Sequence, residues 1–294
     1  MNRYDLVFVG HESTYEVDAP EGSARGLPGG AASFGALAAR WSKKKIAVIT
    51  RLAKEDAPSL EPLKTDGIDV YLRPVAATTH LRIVHPTANL DERLIVQTQN
   101  AGFFESADVP PIEPSWIHLA ALTDREFSLE FMRQLKQRGF RLSVDMQGFV
   151  RQVDAETGVI QFRDVPGKRE IVGLADIIKL DIVEAEVLTG TSNMEEAARL
   201  VEGWGARETI LTSSDGAFAR YGGKTYFEKF SNRSSQGRTG RGDTTMGAYL
   251  ARRIDHPVRE SLKFAVALAS IKMETPGPFR GALEDVLARM NESP

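Results

Sequence analysis

Short apolar runs alternate with amphipathic segments along most of the chain, and no other feature of the sequence constrains the fold as strongly. The apolar runs are bounded by polar or small residues and are typical of buried strands. They are DLVFVG (5–10), KIAVIT (45–50), SWIHLA (115–120), RLSVD (141–145), ADIIKL (175–180) and ETILTS (208–213). The amphipathic segments have helical spacing and lie at 31–41, 128–139, 194–205, 245–254 and 258–273. This order predicts a three-layer α/β/α sandwich with a mostly parallel central sheet.

The stretch from 68 to 98 breaks the alternation, because strand-like runs follow one another there without an intervening helix. A TANLDE turn at 87–92 joins them. We expect this stretch to form a small β-sheet, the lid, together with residues 12–25. With 42% hydrophobic residues the chain can bury one large core, so 1–294 is predicted to be a single domain that carries the lid.

Charge and composition exclude several functions. The formal net charge is -3 and the isoelectric point is near 6.0, so the chain lacks the basic surface that nucleic acids require. The absence of cysteine excludes disulfides, thiolate zinc sites and cysteine nucleophiles, and fits a reducing compartment. The first apolar run is far too short for a membrane or signal segment. We therefore expect a cytoplasmic protein that binds a small molecule and neither nucleic acid nor membrane.

A glycine-rich segment, GRTGRGD at 237–243, runs directly into a predicted helix. Glycines allow backbone amides to turn inward, and a helix N-terminus adds unpaired amides and the positive end of its dipole. This combination predicts an anion-binding loop. Asp243 would repel a bound phosphate unless it takes a proton from an attacking hydroxyl, which indicates a general base for phosphoryl transfer. The alternative is a plain turn in which Asp243 caps the helix.

The glycine-rich segment resembles the C-terminal signature of the PfkB/ribokinase family of carbohydrate and nucleoside kinases, roughly D-T-T-G-A-G-D. Gly237 stands in place of its first aspartate and Arg241 in place of its alanine. The order of the other segments resembles the family along nearly the whole chain. The resemblance implies a ribokinase-like sandwich with a β lid. It also implies that Asp243 is the catalytic base and that the amides of Gly240, Arg241 and Gly242 form the anion hole.

Further segments resemble the family's donor side. KLDIVEAEVLTG (179–190) is similar to its N-x-x-E element, which implies that Asp181 and Glu184 organise Mg²⁺ through water around the phosphates of ATP. ILTSSDGAF (210–218) resembles the turn that contacts the nucleotide, and ALASIKMETPGPF (267–279) resembles the helix and loop beside the adenine. The implied nucleotide-binding residues are Asp181, Thr212, Ser214, Gly216, Thr239, Gly240 and Gly242. Plain structural roles remain open: Asp181 as a helix N-cap, Glu184 as a first-turn carboxylate, and Thr212 and Ser214 as turn formers.

The substrate side departs from the family. The place of its sugar-binding aspartate falls on Tyr15, and the asparagine expected after the glycine pair 29–30 is Phe34. These rings would stack a nucleobase or simply pack under the lid. SVDMQGFVR (143–151) ends a strand and resembles a segment of inositol- and nucleoside-kinase-like branches. In it Asp145 either binds a polar substrate or caps the following turn, and Arg151 could reach a charged substrate. The candidate substrate-binding residues are Glu12, Tyr15, Gly29, Gly30, Phe34, Asp145 and Gln147.

The predicted function is ATP-dependent, Mg²⁺-requiring phosphorylation of a hydroxyl on a small sugar, an inositol-like polyol or a nucleoside. The alternative is a non-catalytic ligand-binding protein on the same fold, and the presence of Asp243 argues against it. A dinucleotide-dependent enzyme would need G-x-G-x-x-G after the first strand, where the chain has GHESTY (10–15). Because a small sheet with an apolar face is marginal alone, we also expect a homodimer through the lid or closure of the lid on substrate.

Overall fold

The computed structural model describes residues 1–20, 22–87 and 93–292. The described residues form the strands β1 (Leu6–Val9), β2 (Ser13–Ala19), β3 (Gly22–Gly29), β4 (Ile46–Ala53), β5 (Asp69–Val75), β6 (Thr79–Val84), β7 (Leu94–Gln99), β8 (Trp116–Leu119), β9 (Arg141–Asp145), β10 (Arg151–Val153), β11 (Ile160–Phe162), β12 (Ile177–Asp181), β13 (Glu208–Thr212), β14 (Gly216–Tyr221) and β15 (Lys224–Lys229).

The helices are α1 (Ala31–Ala39), α2 (Glu61–Thr65), α3 (Leu129–Gln137), α4 (Gln147–Val150), α5 (Lys168–Leu174), α6 (Ile182–Thr189), α7 (Met194–Gly203), α8 (Arg241–Arg253), α9 (Val258–Met273) and α10 (Leu283–Glu292). Short 3₁₀ turns lie at Arg40–Ser42, Lys54–Leu60 and Ser106–Asp108. Within the described ranges, no helix is long and apolar enough to span a membrane.

Nine strands form the central sheet, in the order β15-β14-β13-β12-β9-β8-β1-β4-β5. Neighbouring strands from β13 to β5 pair in parallel, and β14 and β15 add an antiparallel hairpin at one edge. The chain runs outward from β1 to β5 and then returns to β8 on the other side of β1. Open α/β sheets bind their ligands at such a reversal, beyond the carboxyl ends of the strands.

Each face of the sheet carries its own core, which confirms the predicted three-layer sandwich. On β1, Leu6 and Phe8 pack with residues of α1, α8, α9 and α10. Val7 and Val9 point the other way and pack with residues of α3, α5, α6 and α7. Because side chains alternate along a strand, a continuous apolar run buries both faces of the sheet.

The lid is a separate four-stranded sheet in the order β3-β2-β6-β7. Its bounds differ from the expected 12–25 and 68–98. Strand β5 pairs with β4 in the central sheet, from Ala47 opposite Asp69 to Ala53 opposite Val75, so the second lid segment begins at Thr79. The first segment extends through β3 to Gly29. Of the turn expected at 87–92, all but Thr87 lies outside the described residues.

A second hairpin, β10 with β11, joins the lid to the body. The amide of Gln97 in β7 donates to the carbonyl of Gly158 at 2.8 Å, and Val96 forms an isolated bridge with Val159. The sequence analysis did not anticipate this hairpin, because its three-residue strands are too short for an alternating pattern to show.

Candidate active site

The glycine-rich segment ends at the N-terminus of α8, where Gly240 takes a left-handed conformation with φ +78°. A β-carbon added at Gly240 would lie 2.2 Å from Cδ1 of Phe34, so only glycine fits both the backbone and the space. Asp243 follows in the first turn of the helix. The chain therefore presents a carboxylate and unpaired amides at one point, as the sequence predicted.

The amides of this turn differ from the expected set. Arg241 donates its backbone N–H to the carbonyl of Arg238 at 3.2 Å, so in this structure that amide is engaged within the loop. Thr244 donates to Gly240 at 2.9 Å. The amides of Gly242 and Asp243 have no backbone acceptor within the described part of the chain, as is usual for a first helical turn. These two amides can bind a phosphoryl oxygen together with the helix dipole, and so can the amide of Gly240, which likewise has no backbone acceptor among the described residues.

The carboxyl of Asp243 lies among three basic side chains. Desolvation raises its pKa, and the charges of Lys179, Arg151 and Lys272 oppose that rise, while the charge of Glu184 adds to it. A carboxylate whose pKa lies above its ordinary value is a stronger base and remains close to cations that stabilise charge. The group can therefore accept a proton from a hydroxyl placed beside the α8 amides.

Lys179 was not singled out from the sequence, yet it lies at the centre of the site. It is opposite Asp145 in the pairing of β12 with β9, and its Nζ lies 3.0 Å from Oδ2 of Asp145. Oε2 of Glu184 is 3.9 Å from the same ammonium. Burial disfavours its charge, but these carboxylates raise the pKa of Lys179 above its usual range. A lysine inside the buried run ADIIKL was the available signal, since a buried charge needs partners.

Asp181 and Glu184 form a reciprocal cap at the start of α6. Oδ1 of Asp181 accepts the amide of Glu184, and Oε2 of Glu184 accepts the amide of Asp181, each at 2.8 Å. The N-cap role left open for Asp181 is thus realised. The other carboxylate oxygen of Glu184, Oε1, is buried without a hydrogen-bond partner within the described ranges, and Nη2 of Arg151 is 3.7 Å away. Burial raises the pKa of Glu184 to about 7.

This arrangement fits a magnesium ion that arrives with phosphates. No group of three or more metal-ligating side chains occurs among the described residues. Mg²⁺ usually keeps several waters and is held by one or two carboxylates together with substrate phosphates. The unpaired Oε1 of Glu184 and the neighbouring carboxylate of Asp181 provide oxygen atoms of that kind.

The other expected nucleotide contacts are dispersed. Thr212 is buried at the end of β13, directly opposite Asp181. Ser214 is exposed, and Ser213 rather than Ser214 closes the turn by accepting the amide of Asp215 at 3.1 Å. Gly216 serves strand packing, because a β-carbon there would lie 2.2 Å from the carbonyl oxygen of Glu228. Thr239 is exposed in the segment 237–240 that precedes α8, here called the α8 loop, and its role in nucleotide binding stays a prediction.

Glu12 and the glycine pair form a compact group beneath the lid. Glu12 accepts a 2.5 Å hydrogen bond from Oγ of Ser33, and burial raises the pKa of its carboxyl to about 8. Gly30 has φ +140°, and a β-carbon there would lie 2.5 Å from Oε2 of Glu12. Gly29 faces the ring of Tyr15, whose Cδ1 would be 3.1 Å from an added β-carbon. A protonated carboxyl in this position can donate as well as accept.

The two aromatic candidates have different surroundings. Tyr15 lies on β2 and is half-buried, and burial raises the pKa of its phenol. Phe34 is only 6% exposed and packs beneath Gly240, with the ammonium of Lys272 5.2 Å from its ring centre. The ring of Phe34 therefore supports the α8 loop and does not present the open stacking surface that the sequence suggested.

Asp145 and Gln147 combine structural and site roles. Oδ1 of Asp145 accepts the amide of Gln147 at 3.0 Å, so Asp145 caps the turn after β9 and also pairs with Lys179. The side-chain amide of Gln147 donates to the carbonyl of Ala121 at 2.7 Å. That bond holds the ends of β8 and β9 together and leaves the Gln147 side-chain oxygen as the group available to a substrate.

His11, Thr79 and Glu126 form a buried hydrogen-bonded cluster at the base of the lid that was not predicted from the sequence. His11 donates its amide to Glu126 at 2.9 Å, and its ring contacts Thr79 and the carbonyl of Gly102 at 2.9 and 2.8 Å. Burial lowers the pKa of His11 to about 4 and raises that of Glu126 to about 7. The sequence did not predict this cluster, because its residues are isolated polar positions that only the fold brings together.

Known proteins share this architecture. A cytidine kinase from Thermococcus kodakarensis is 27% identical over 262 residues, which cover 84% of this chain and 87% of the relative. A pyrophosphate-dependent kinase of the ribokinase family, solved with sulfate, is 30% identical with a TM-score of 0.88 and covers 96% of this chain and 99% of its own. Ribokinase of Arabidopsis thaliana, complexed with ribose and ATP, is 17% identical with a TM-score of 0.76 over the whole of both chains and shows the same fold.

These relatives include phosphotransferases that act on hydroxyl groups, and this chain places the carboxylate of Asp243 in the first turn of α8. The description "pfkB family carbohydrate kinase" matches residues 1–284. The chain therefore belongs to the pfkB family of carbohydrate kinases.

Proposed function

We propose that this kinase transfers a phosphoryl group to a hydroxyl of a small cyclic polyol, with inositol as the reference compound. The observation that carries the proposal is the position of Asp243, which lies in the first turn of α8 with a raised pKa and with Lys179, Arg151 and Lys272 near it. A carboxylate base beside phosphate-binding amides is the arrangement that in-line transfer to an alcohol requires.

The reaction follows from these groups. Asp243 takes the proton as the O–H bond of the acceptor breaks, and the oxygen forms a bond to the terminal phosphorus of the donor. The bond from that phosphorus to the leaving oxygen breaks, and the leaving phosphate departs. The amides of Gly242 and Asp243 and the ammonium of Lys179 stabilise the charge on the transferred group. Mg²⁺, when bound, neutralises donor phosphate charge, and Asp181 and Glu184 would hold it through water.

The polar lining supports a polyol as the acceptor. Glu12 and Asp145 are buried carboxyls near the reversal in the sheet, and Gln147 offers a side-chain oxygen. Of the two aromatic candidates, Phe34 is buried, which leaves Tyr15 as the ring available for stacking. A pyrophosphate-dependent relative, 29% identical with a TM-score of 0.87, was solved with a pyrophosphate analogue and myo-inositol. The cytidine kinase relative and Tyr15 favour a nucleoside as the second candidate acceptor.

For the donor, we propose inorganic pyrophosphate, with ATP as the competitor expected from the sequence. Arg241 stands where the family pattern has alanine, and its guanidinium lies 5.6 Å from the ring centre of Phe230, beside the α8 loop. A donor without a nucleoside must derive its affinity from its phosphates, which favours additional cationic side chains. The expected turn contact, Ser214, instead bonds its own neighbour Asp215 at 3.2 Å.

The test pairs each donor with each acceptor. The purified protein is incubated with Mg²⁺, with pyrophosphate or ATP, and with myo-inositol, ribose, fructose or cytidine, and products are identified by ³¹P NMR and mass spectrometry. We expect inositol phosphate from pyrophosphate. A preference for cytidine would replace the acceptor proposal, and a preference for ATP would replace the donor proposal. Absence of product from every pair, with an intact fold, would favour the non-catalytic alternative.

Arg241→Ala separates donor binding from chemistry. We expect KM for pyrophosphate to rise about 10-fold, the scale of one charge-assisted contact, while kcat stays close to that of the wild type. A fall in kcat without a change in KM would show that the guanidinium acts on the transition state instead. Arg207, which is exposed and on the opposite end of β13, provides the matched control.

A further inference from the structure

The ammonium of Lys272 is enclosed below the α8 loop. Lys272 lies in the last turn of α9, exposes 1% of its surface and donates hydrogen bonds to the carbonyl oxygens of Gly237 and Thr239. The ring of Phe34 is 5.2 Å from its Nζ. Among the described residues, no carboxylate lies within ion-pairing distance of this ammonium. Its charge is therefore solvated by two main-chain carbonyls and an aromatic face.

The loop is shaped around this ammonium. Gly237 donates its amide to the carbonyl of Met273 at 2.8 Å, and a β-carbon at Gly237 would lie 1.8 Å from the carbonyl oxygen of Thr275. The residue must therefore be glycine, although the family pattern has an aspartate at this position. The chain thus has no carboxylate at position 237 and places the cationic side chain of Lys272 against the same segment.

Converging carbonyl oxygens are the ligands with which proteins replace the hydration shell of a monovalent cation. The carbonyls of Gly237 and Thr239 converge in this way, and the group between them is a tethered –NH₃⁺. Burial lowers the pKa of Lys272 to about 8, with the charge of Asp243 opposing the decrease, so the ammonium form persists at neutral pH. A tethered cation in this position binds both carbonyls, and the next residue of the segment is Gly240, in its left-handed turn above Phe34.

We propose that Lys272 is a built-in monovalent cation, a positioning residue that occupies an ion site formed by the α8 loop and makes catalysis independent of free alkali ions. The inference rests on phosphoryl transfer at the N-terminus of α8. Lys272 acts through the loop: its two carbonyl contacts orient the segment that ends at the amides of Gly242 and Asp243. The residue does not contact the reacting atoms.

The first part of the test uses the wild-type enzyme in chlorides of potassium, sodium and tetramethylammonium at equal ionic strength. We expect equal rates in all three salts. A strong requirement for potassium would overturn the proposal, since the ion would then have a site that Lys272 does not fill.

The second part uses Lys272→Ala and Lys272→Met. Lys272→Ala opens a space lined by the two carbonyls, and we expect kcat to fall about 10- to 100-fold, as for other losses of alignment, with little change in the acceptor KM. Potassium, which carbonyl oxygens can coordinate directly, or ethylammonium, which can donate N–H groups to them, should restore part of the activity. Tetramethylammonium should not, because its methyl groups keep the carbonyl oxygens away from its charge. Lys272→Met fills the space with an apolar chain and should lose activity without rescue. Lys263→Ala, in the same helix, is the matched control.

A measurement without turnover keeps the test independent of the proposed reaction. The melting temperature of Lys272→Ala should rise on addition of potassium or ethylammonium, while those of the wild type and of Lys272→Met should not respond. If no donor and acceptor pair gives product, this stabilisation still tests the ion site. Full activity of Lys272→Ala, absence of any cation response in a folded Lys272→Ala, or equal rescue of both variants would each refute the proposal.

Discussion

At the scale of single residues, the site balances buried carboxylates against buried cations. Among the described residues, Lys179 is the basic side chain that lies within 4 Å of both Asp145 and Glu184, and its charge also opposes the burial-driven rise in the pKa of Asp243. Removal of one member would leave the others with uncompensated charge, which is costly in a desolvated site. The basicity of Asp243 is thus set jointly by this group.

Asp243→Asn tests the base directly. An amide of the same shape cannot accept the proton, so we expect kcat to fall at least ~10²-fold, the usual contribution of a general base. Donor affinity, measured by calorimetry, should stay within a few-fold of the wild type because the α8 amides remain. Normal turnover by this variant would show that the proton goes elsewhere.

Asp243 could be named as the candidate base from the sequence because it ends a contiguous glycine-rich motif. Lys179 and Lys272 were not predicted as site residues because each is a single charged residue in an apolar segment, and the residues they bind are distant in the sequence. Asp145 meets Lys179 across neighbouring strands, and Gly237 and Thr239 meet Lys272 through the packing of a loop on α9. Local spacing carries no information about such pairings.

At the scale of elements, the start of α8 depends on a glycine over an aromatic ring. Gly240 and Gly277 both have left-handed φ values, +78° and +86°, but only Gly240 has a neighbour where a β-carbon would be. Alanine variants at the two positions therefore distinguish the free-energy cost of the left-handed backbone from the cost of the contact with Phe34.

Gly277→Ala should lose about 1–2 kcal/mol, the cost of a left-handed conformation for a residue with a β-carbon. Gly240→Ala should lose more and should also lower kcat, because the loop must shift away from Phe34. Urea unfolding and steady-state kinetics of both variants provide the comparison. Equal losses of stability with unchanged kcat would show that the ring does not fix the loop.

Glu12, which binds Ser33 of α1, should make the free energy of unfolding depend on pH. Its pKa is raised to about 8, so between pH 4.5 and pH 8 the native state retains a proton that the unfolded chain has released. Stability conferred by this group is therefore complete below the unfolded pKa and is lost as the pH rises through the folded value.

Glu12→Gln removes this titration. The unfolding free energy of the variant minus that of the wild type should increase between pH 5 and pH 8, by an amount on the order of a few kcal/mol. Urea titrations at both pH values measure it, with the exposed Glu113→Gln as control. A difference that is constant with pH would mean that Glu12 is already ionised in the native protein at low pH.

At the scale of the whole molecule, the layered architecture followed from the alternation of strands and helices, whereas the bounds of the lid did not. Strand β5 (DVYLRPV) is rich in strand-forming residues, as the lid strands β6 and β7 are, and its seven-residue parallel pairing with β4 assigns it to the central sheet. Periodicity identifies a strand, but the choice between two sheets depends on partners far along the chain. The β10–β11 hairpin was missed for a different reason, because strands of three residues are too short to show a periodic pattern.

The lid should become covered in solution or on binding. Strand β3 is largely exposed, and Leu94 on β7 is 46% exposed. Because such small sheets with open edges are marginal alone, we expect a homodimer through the lid or closure on substrate. Sedimentation gives the assembly state, and hydrogen exchange of 13–29 and 79–99 with and without substrate detects closure. A monomer with unchanged lid protection would exclude both outcomes.

Gly35 in α1 and Gly247 in α8 contact each other so closely that a β-carbon at Gly247 would lie 2.1 Å from the carbonyl oxygen of Gly35. Helix α1 begins directly after the glycine pair 29–30 and α8 begins in the glycine-rich segment, so this contact joins the two elements that carry the proposed substrate-binding and phosphate-binding groups. A larger residue at Gly247 would displace α1, and one at Gly35 would meet the ring of Phe8 on β1, where an added β-carbon would lie 2.7 Å from Cε1. New acceptor preferences should therefore arise by changes in the lid and the strand ends, while this helix pair is inherited as one unit.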